Sequence, residues 1–168
     1  VVAGRYTSRK RIKEVINFFY RIKNFNLIVL SEVPEKDTLK ASNILYLGKL
    51  NPSFAKKVIK ASKGLIHVDK YDWCPNIVAS ALADRVPVIC SNYGGTKELV
   101  RDNGYIIQEF PNDLTADMNG VNYVRDSKFP SELFYEALKL NGLKKIPENN
   151  SSNYSITNSA TKYIQFIK

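Results

Sequence analysis

The sequence has few of the residues that build metal centres and disulfide frameworks. Its 168 residues include two cysteines, Cys74 and Cys90, and a single histidine, His67. No CxxC pair or other metal-ligand spacing is present, so a zinc site is not expected, and two thiols in a chain of this size are typical of a reduced, cytosolic protein. No apolar run approaches the ~18 residues that a membrane-spanning helix needs.

Two motifs that bind nucleotides or metal-bound phosphates are also missing. The chain contains no G-x-G-x-x-G, so the dinucleotide fingerprint is absent. It contains no Asp-x-Asp pair, and we therefore expect neither a metal ion nor another cofactor in its chemistry.

Positive charge is in excess and is unevenly distributed. The net charge is +9, and residues 5–23 hold seven basic side chains against Glu14 alone. Such a cluster can serve a phosphate ligand, a nucleic acid or an anionic membrane surface, or it can be a solvated helix face. Because no nucleic-acid-binding motif accompanies it, we expect no nucleic acid as partner. The region 5–23 remains a candidate for peripheral membrane contact.

Short apolar segments alternate with segments of helical period. Strands are predicted at 1–3, 26–31, 43–48, 64–68, 86–91 and 104–108, and helices at 10–22, 52–62, 75–84, 95–101 and 131–141. This alternation predicts an α/β fold, a Rossmann-like parallel sheet with helices on both faces. We expect a domain at 1–146, a polar linker at 147–154 and a final helix at 155–168 that packs back on the domain.

Ligands of such sheets bind at the carboxyl ends of the strands, and three polar features fall on that edge. Arg5 follows the first predicted strand, the acidic segment 69–72 follows the fourth, and Gly94 and Gly95 follow the fifth. The helix that begins near Pro75 offers free backbone N–H groups to an anion. The order of these features therefore predicts a site in which an acidic side chain binds a sugar and the amino end of a helix binds phosphate. The glycines would allow the backbone to approach the ligand closely.

Two stretches resemble a known family. "AGRYTSRKRIKEVI" (3–16) resembles the Gly-Arg…Lys phosphate loop of the retaining family 4 glycosyltransferases, which have the GT-B fold. "PNIVASALADRVPVICSNYGGTKELV" (75–100) resembles their signature Pro-Asn-x-Val-x-Glu-Ala-x-Ala-x-Gly-x-Pro-Val-Ile…Gly-Gly-x-x-Glu-Leu-Val. The resemblance covers residues 1–108 and the last helix. It implies the C-terminal, donor-binding half of such an enzyme, and the chain opens as a strand already under way, which we interpret as a piece of something longer.

The resemblance implies roles for individual residues. Arg5 and Lys10 match the pair that neutralises the donor diphosphate, although Arg9 or Arg11 could replace Lys10 if the loop is shifted. Asp72 matches the first acid of the E-x7-E motif, which holds the donor sugar, and these three are the expected catalytic residues. The remaining expected donor contacts are Gly4, Lys49, Leu50, Trp73, Pro75, Asn76, Ser80, Gly94 and Gly95.

Three positions depart from the family pattern. Asp72 is one methylene shorter than glutamate, and Ser80 replaces the second acid, which usually binds the ribose. A serine cannot accept two ribose hydroxyl bonds as a carboxylate does. Trp73 stands where the family usually has glycine. These changes imply a different donor, weaker binding or lost activity.

The resemblance thus implies a cytoplasmic hexosyltransferase domain, acting in polysaccharide biosynthesis or at the inner face of a membrane. It would bind a UDP- or GDP-sugar without a metal and would need an N-terminal GT-B domain or partner chain to transfer the sugar to a glycan, lipid or other acceptor. The alternatives are a non-catalytic nucleotide-sugar-binding protein, a related sugar epimerase and a basic nucleic-acid-binding protein. The base, the sugar and the acceptor remain open.

Overall fold

Six parallel strands form the sheet at the centre of the computed structural model, which describes residues 1–109, 114–116, 122–124, 128–139 and 146. The strands are Val2–Ala3 (β1), Leu27–Leu30 (β2), Ile44–Tyr46 (β3), Leu65–His67 (β4), Val88–Ser91 (β5) and Gly104–Ile107 (β6). Each lies within a predicted strand. The predicted linker 147–154 and final helix 155–168 lie outside the described residues.

Five α-helices of the described residues accompany these strands. They are Ile12–Arg21 (α1), Pro52–Ala61 (α2), Asn76–Ala83 (α3), Thr96–Val100 (α4) and Ser131–Lys139 (α5). A two-stranded antiparallel sheet, Leu114–Ala116 (β7) with Asn122–Val124 (β8), was not predicted from the sequence. None of the helices in the described part of the chain is long and apolar enough to cross a membrane.

The helices cover both faces of the sheet, as predicted. One core contains Val15, Ile16 and Phe19 of α1 together with Phe134 of α5, and the other contains residues of α2, α3 and α4. Neighbouring strand residues are divided between the two cores. The central strands β1, β2, β4 and β5 are therefore buried on both sides, which explains why they have continuous apolar sequences rather than an alternating pattern.

The strand order β3-β2-β1-β4-β5-β6 indicates at which point of the sheet a ligand is expected to bind. The chain winds outward in one direction from β1 and in the opposite direction from β4, and these two strands are neighbours, with Val2 paired to Ile66. In open α/β sheets, ligands bind in the crevice at the carboxyl ends of the strands where the winding reverses. The loops after β1 and β4 border that crevice.

A buried ion pair determines how the chain enters α1. The predicted helix start at residue 10 is too early, because Ser8–Lys10 forms a 3-10 turn and Arg11 adopts the left-handed φ of 52° before α1 begins. The Arg11 side chain is fully buried, and its Nη1 lies 2.8 Å from both carboxylate oxygens of Glu109. Asn92 in turn exchanges two hydrogen bonds with the backbone of Glu109.

The basic cluster at 5–23 does not form one continuous charged face. Arg9 donates to a backbone carbonyl, Lys10 contacts two acids, Arg11 contacts Glu109, and Lys13 lies 2.6 Å from Asp37. Lys23 lies 4.8 Å from the centre of the Tyr20 ring, so at least five of the seven basic side chains have partners within the domain. This distribution favours a local role for individual side chains over a diffuse basic surface.

The Arg11–Glu109 pair gives a stability prediction. Glu109→Ala removes the carboxylate that binds the buried Arg11 guanidinium, so we expect the free energy of unfolding to fall by about 3–5 kcal/mol. Lys56→Met is the control, because Lys56 is exposed and lies 3.3 Å from Asp84. Breaking that pair should cost less than about 1 kcal/mol. Urea denaturation measures both changes, and equal small losses would contradict a structural role for Glu109.

Candidate functional site

Lys10 joins the two motifs that border the crevice. Its Nζ donates to Asp72 Oδ2 at 2.9 Å and forms a 2.5 Å ion pair with Asp69 Oδ2. The Lys10 side chain is 13% exposed, so these contacts are only partly screened by solvent. The phosphate-loop lysine and the sugar-loop acid, 62 residues apart in the chain, thus meet at one point.

Arg9 docks the loop after β1 onto the loop after β4. Its guanidinium donates to the carbonyl of Tyr71 at 3.1 Å and lies 5.2 Å from the centre of the Tyr71 ring. The carbonyl of Arg9 accepts from the backbone N–H of Lys70 at 2.9 Å. Because Arg9 is engaged here and Arg11 is buried against Glu109, Lys10 is the cation of this turn that reaches the acids.

Helix α3 starts one residue later than predicted. Pro75 has an extended backbone, with ψ of 107°, and is the N-cap of α3 rather than its first residue. Pro75 makes no side-chain capping bond at this end, and the Asp72 carboxylate binds Lys10. Asn76 is exposed at the first position, and Ser80 is half-buried in the second turn.

Gly94 and Gly95 allow two backbone segments of the protein to pack together. A Cβ on Gly94 would lie 2.5 Å from the carbonyl oxygen of Asp72, and one on Gly95 would collide with the carbonyl of Trp73. The N–H of Gly95 donates to the carbonyl of Asp72 at 2.9 Å. The glycine turn after β5 therefore supports the acidic loop directly, and Gly94 has the φ of +64° that favours glycine.

Burial and the Lys10 ammonium set the charges of the cluster. Burial lowers the pKa of His67 to about 3, so its imidazole is neutral. Burial also raises the pKa of Asp69 to about 6, although Lys10 counteracts it. Burial acts in the same sense on Asp72, but the hydrogen bond from Lys10 prevails and holds the pKa of that carboxyl below its usual value.

His67 and Asp69 belong to the cluster, although the sequence analysis did not place them there. His67 is the buried last residue of β4. Asp69 was noted only as part of the acidic segment 69–72. The spacing His-x-Asp-x-x-Asp at the end of a strand is the signal that could have identified both.

The other expected donor contacts differ in their distance from this cluster. Gly4 lies against the Lys10 side chain, since a Cβ there would be 3.6 Å from Lys10 Cδ, and Arg5 is exposed at the end of β1. The Trp73 side chain is also open to solvent, with 60% of the residue exposed. Lys49 and Leu50 follow β3, which lies two strands away from β1.

A separate cavity lies at the opposite edge of the sheet. It has a volume of about 320 Å³ and is lined by residues at the amino ends of β1, β2 and β4, among them Val1, Ile28 and Gly64. The cluster of charged side chains is at the carboxyl ends, so this cavity is not part of the candidate site.

Comparisons with known proteins agree with this architecture. The family model of the glycosyl transferases group 1 matches residues 1–121. Among solved structures, sucrose-phosphate synthase from Thermosynechococcus elongatus superposes with a TM-score of 0.68 at 14% identity, over 99% of this chain and 44% of that one. AviGT4, a glycosyltransferase involved in avilamycin A biosynthesis, gives 0.64 at 14% identity, over 98% and 49%. The galactosyltransferase WaaB gives 0.54 at 16% identity, over 62% and 34%.

The fold of the described residues is that of one Rossmann-like half of the GT-B fold. Because the family model covers well over half of the chain, the chain belongs to the glycosyl transferases group 1. It spans less than half the length of the solved structures above, whose low identities show the fold alone. No curated protein matches the chain.

The packing of the glycine turn generates a prediction for Trp73, the sole tryptophan. Gly95→Ala should push the 72–73 backbone away, because its Cβ would collide with the Trp73 carbonyl. We expect a change in tryptophan emission. Gly48→Ala is the control: it has a positive φ, but a Cβ there meets nothing within 4 Å. Unchanged emission in Gly95→Ala, or an equal change in both variants, would contradict this packing.

Proposed function

We propose that this chain is the donor-binding domain of a retaining glycosyltransferase that takes a nucleoside-diphosphate hexose, with UDP or GDP as the nucleotide. The observation that carries the proposal is the 2.9 Å contact between Lys10 and Asp72. Each of the two residues is implicated by a different motif, one in binding phosphate and the other in binding sugar. Their meeting at the winding reversal of the sheet supports a single site that holds both parts of a nucleotide sugar.

Donor binding exchanges the partners of Lys10. In this structure its ammonium is bound by carboxylates. An arriving diphosphate offers more negative charge, so Lys10 turns toward the phosphate oxygens together with Arg5, whose guanidinium fork suits two of them. Asp72 is then free to accept hydrogen bonds from the hydroxyl groups of the sugar.

Catalysis by this half is electrostatic. As the bond to the anomeric carbon breaks, negative charge develops on the departing diphosphate, and Arg5, Lys10 and the amino end of α3 stabilise it. The exposed Trp73 ring follows Asp72 directly and offers a flat apolar face to the sugar. Cationic side chains thus perform the neutralisation for which other transferases use a metal ion.

The acceptor would bind to a second domain. The chain corresponds to 44% of sucrose-phosphate synthase and 49% of AviGT4. We propose that an N-terminal GT-B domain, in the same protein or in a partner chain, supplies the acceptor site and closes over the donor.

A non-catalytic nucleotide-sugar-binding protein is the second candidate. Ser80 favours it, because a hydroxyl stands where the family has the acid that usually binds the ribose. Such a protein would retain affinity for the donor and lack transfer in every assembly.

Substitution of the phosphate residues tests the donor site. Arg5→Ala should weaken nucleoside-diphosphate binding by about 1.5–3 kcal/mol, the range for hydrogen bonds to charged groups. Lys10→Ala should cost a similar or smaller amount, and binding of the bare nucleoside should hardly change. Isothermal titration calorimetry with UDP, GDP and the two nucleosides measures these differences.

Arg21→Ala is the matched control for these variants. It removes the same unit of charge from the exposed last residue of α1, remote from the crevice. Little loss of affinity is expected. A loss equal to that of Arg5→Ala would mean that the basic cluster acts as a diffuse surface, and the nucleic-acid hypothesis would gain.

The proposal that one domain binds the donor and another binds the acceptor gives a second prediction. The 168-residue chain should bind the nucleotide sugar but should transfer no sugar to added acceptors, since only the donor half is visible in it. Product analysis with radiolabelled UDP- and GDP-hexoses checks this expectation. Slow hydrolysis of the donor is compatible with the proposal, whereas efficient transfer by the chain alone would contradict it.

A further inference from the structure

Three metal-binding side chains of the described residues converge on the Lys10 ammonium. They are His67 at the end of β4 and Asp69 and Asp72 in the loop after it. One ligand-type atom from each lies within 4.8 Å of the other two. Lys10 Nζ is 2.5 Å from Asp69 Oδ2 and 2.9 Å from Asp72 Oδ2, so a cation already sits between the carboxylates.

The imidazole of His67 points to a ligand that is different from lysine. Its side chain is 1% exposed, and Nε2 lies 3.7 Å from Oδ2 of Asp69 and 3.7 Å from Oδ2 of Asp72. Nε2 has no hydrogen-bond partner among the described residues. A buried polar atom without a partner is costly. A lysine ammonium could only donate a hydrogen bond to this nitrogen, and the described residues contain no such bond.

We propose that His67, Asp69 and Asp72 form a binding site for a divalent transition-metal ion, which Lys10 fills in the ligand-free protein and vacates when it turns to the donor diphosphate. The second half of this statement rests on the proposed function, and the first half does not. The inference departs from the expectation, drawn from the single histidine, that the chain holds no zinc.

The ligand atoms that these three side chains offer identify the class of metal. One imidazole nitrogen and two carboxylate oxygens suit Zn²⁺, Co²⁺, Mn²⁺ or Fe²⁺, whereas Ca²⁺ and Mg²⁺ prefer oxygen ligands alone. At metal–ligand bonds of about 2.0–2.1 Å, tetrahedral ligands are roughly 3.3–3.4 Å apart. The 3.7 Å spacings from His67 Nε2 to the two carboxylates require only a small contraction to reach that value.

The charge balance explains when the metal would enter. With Lys10 in place, one ammonium faces two carboxylates. Once Lys10 contacts the phosphates, Asp69 and Asp72 lose their cation, and Arg9 is held by the carbonyl and the ring of Tyr71. Two carboxylates beside a diphosphate repel it, and a divalent ion bound by His67, Asp69 and one oxygen of Asp72 removes that repulsion. The other oxygen of Asp72 stays available to the sugar hydroxyl groups.

Cobalt binding without nucleotide tests the site independently of the donor proposal. Lys10→Met removes the ammonium from between the two carboxylates. The variant should therefore bind one Co²⁺ per chain at least about tenfold more tightly than the wild type, because a like charge at contact distance is gone. The visible absorption of bound Co²⁺ reports the ligand field, and calorimetry gives the affinity. Adding His67→Gln to Lys10→Met should lower the affinity again by at least about tenfold, since even the loss of an outer partner costs that much.

Lys13→Met is the matched control. It also removes a lysine that is paired with an aspartate, 2.6 Å from Asp37, and should leave Co²⁺ affinity at the wild-type level. Lys10→Gln replaces Lys10→Met if the latter does not fold, as judged by circular dichroism. The proposal is overturned if neither Lys10 variant binds Co²⁺ more tightly than Lys13→Met, or if the gain persists after His67→Gln. Neither result would touch the proposed donor site, which the nucleotide titrations test.

Discussion

The ammonium of Lys10, held between Asp69 and Asp72, is the contact on which the functional edge of this protein depends. It connects the loop after β1 with the loop after β4, the neighbouring strands at which the winding of the sheet reverses. Without a cation at this point, two carboxylates would face each other in a partly buried crevice, where solvent screens them poorly. The same contact makes the site responsive, because an anionic ligand that attracts Lys10 releases the acids for other partners. In the proposed donor site, the binding of phosphate and the binding of sugar would therefore be coupled through this side chain.

The surrounding packing keeps the two loops in reach of each other. Arg9 lies on Tyr71, Gly94 and Gly95 accept the backbone of residues 72–73 where side chains would collide, and the buried pair between Arg11 and Glu109 ties the start of α1 to the end of β6. The glycines consequently serve the protein's own backbone, whatever else they contact in a complex. The strained turn at Arg11 and the charge buried with it are costly in isolation, and the bidentate contact with Glu109 offsets that cost.

Most of the fold could be predicted from the sequence because its central strands are buried on both faces. Segments such as 86–91 carry an uninterrupted apolar pattern that follows directly from such burial, and α1 follows from the helical spacing of Val15, Ile16 and Phe19. Features that depend on one distant contact were missed. The start of α1 is set by Glu109, 98 residues away in the chain, and the place of His67 and Asp69 depends on where Lys10 comes to lie. Local patterns contain no information on such pairs. For the site, motif resemblance implicated Lys10 and Asp72 separately, and only the structure put them in contact.

The most direct test of this account is to locate the nucleotide on the protein. Titration of the ¹⁵N-labelled chain with UDP or GDP, followed by amide chemical shifts, distinguishes the two edges of the sheet. We predict that the perturbed amides cluster at 4–10, 69–76 and 92–96, which border the carboxyl ends of β1, β4 and β5. Perturbations confined to the cavity at the other edge, around Asn24, Phe25 and Lys63, would contradict the claim that the Lys10–Asp72 contact marks the donor site.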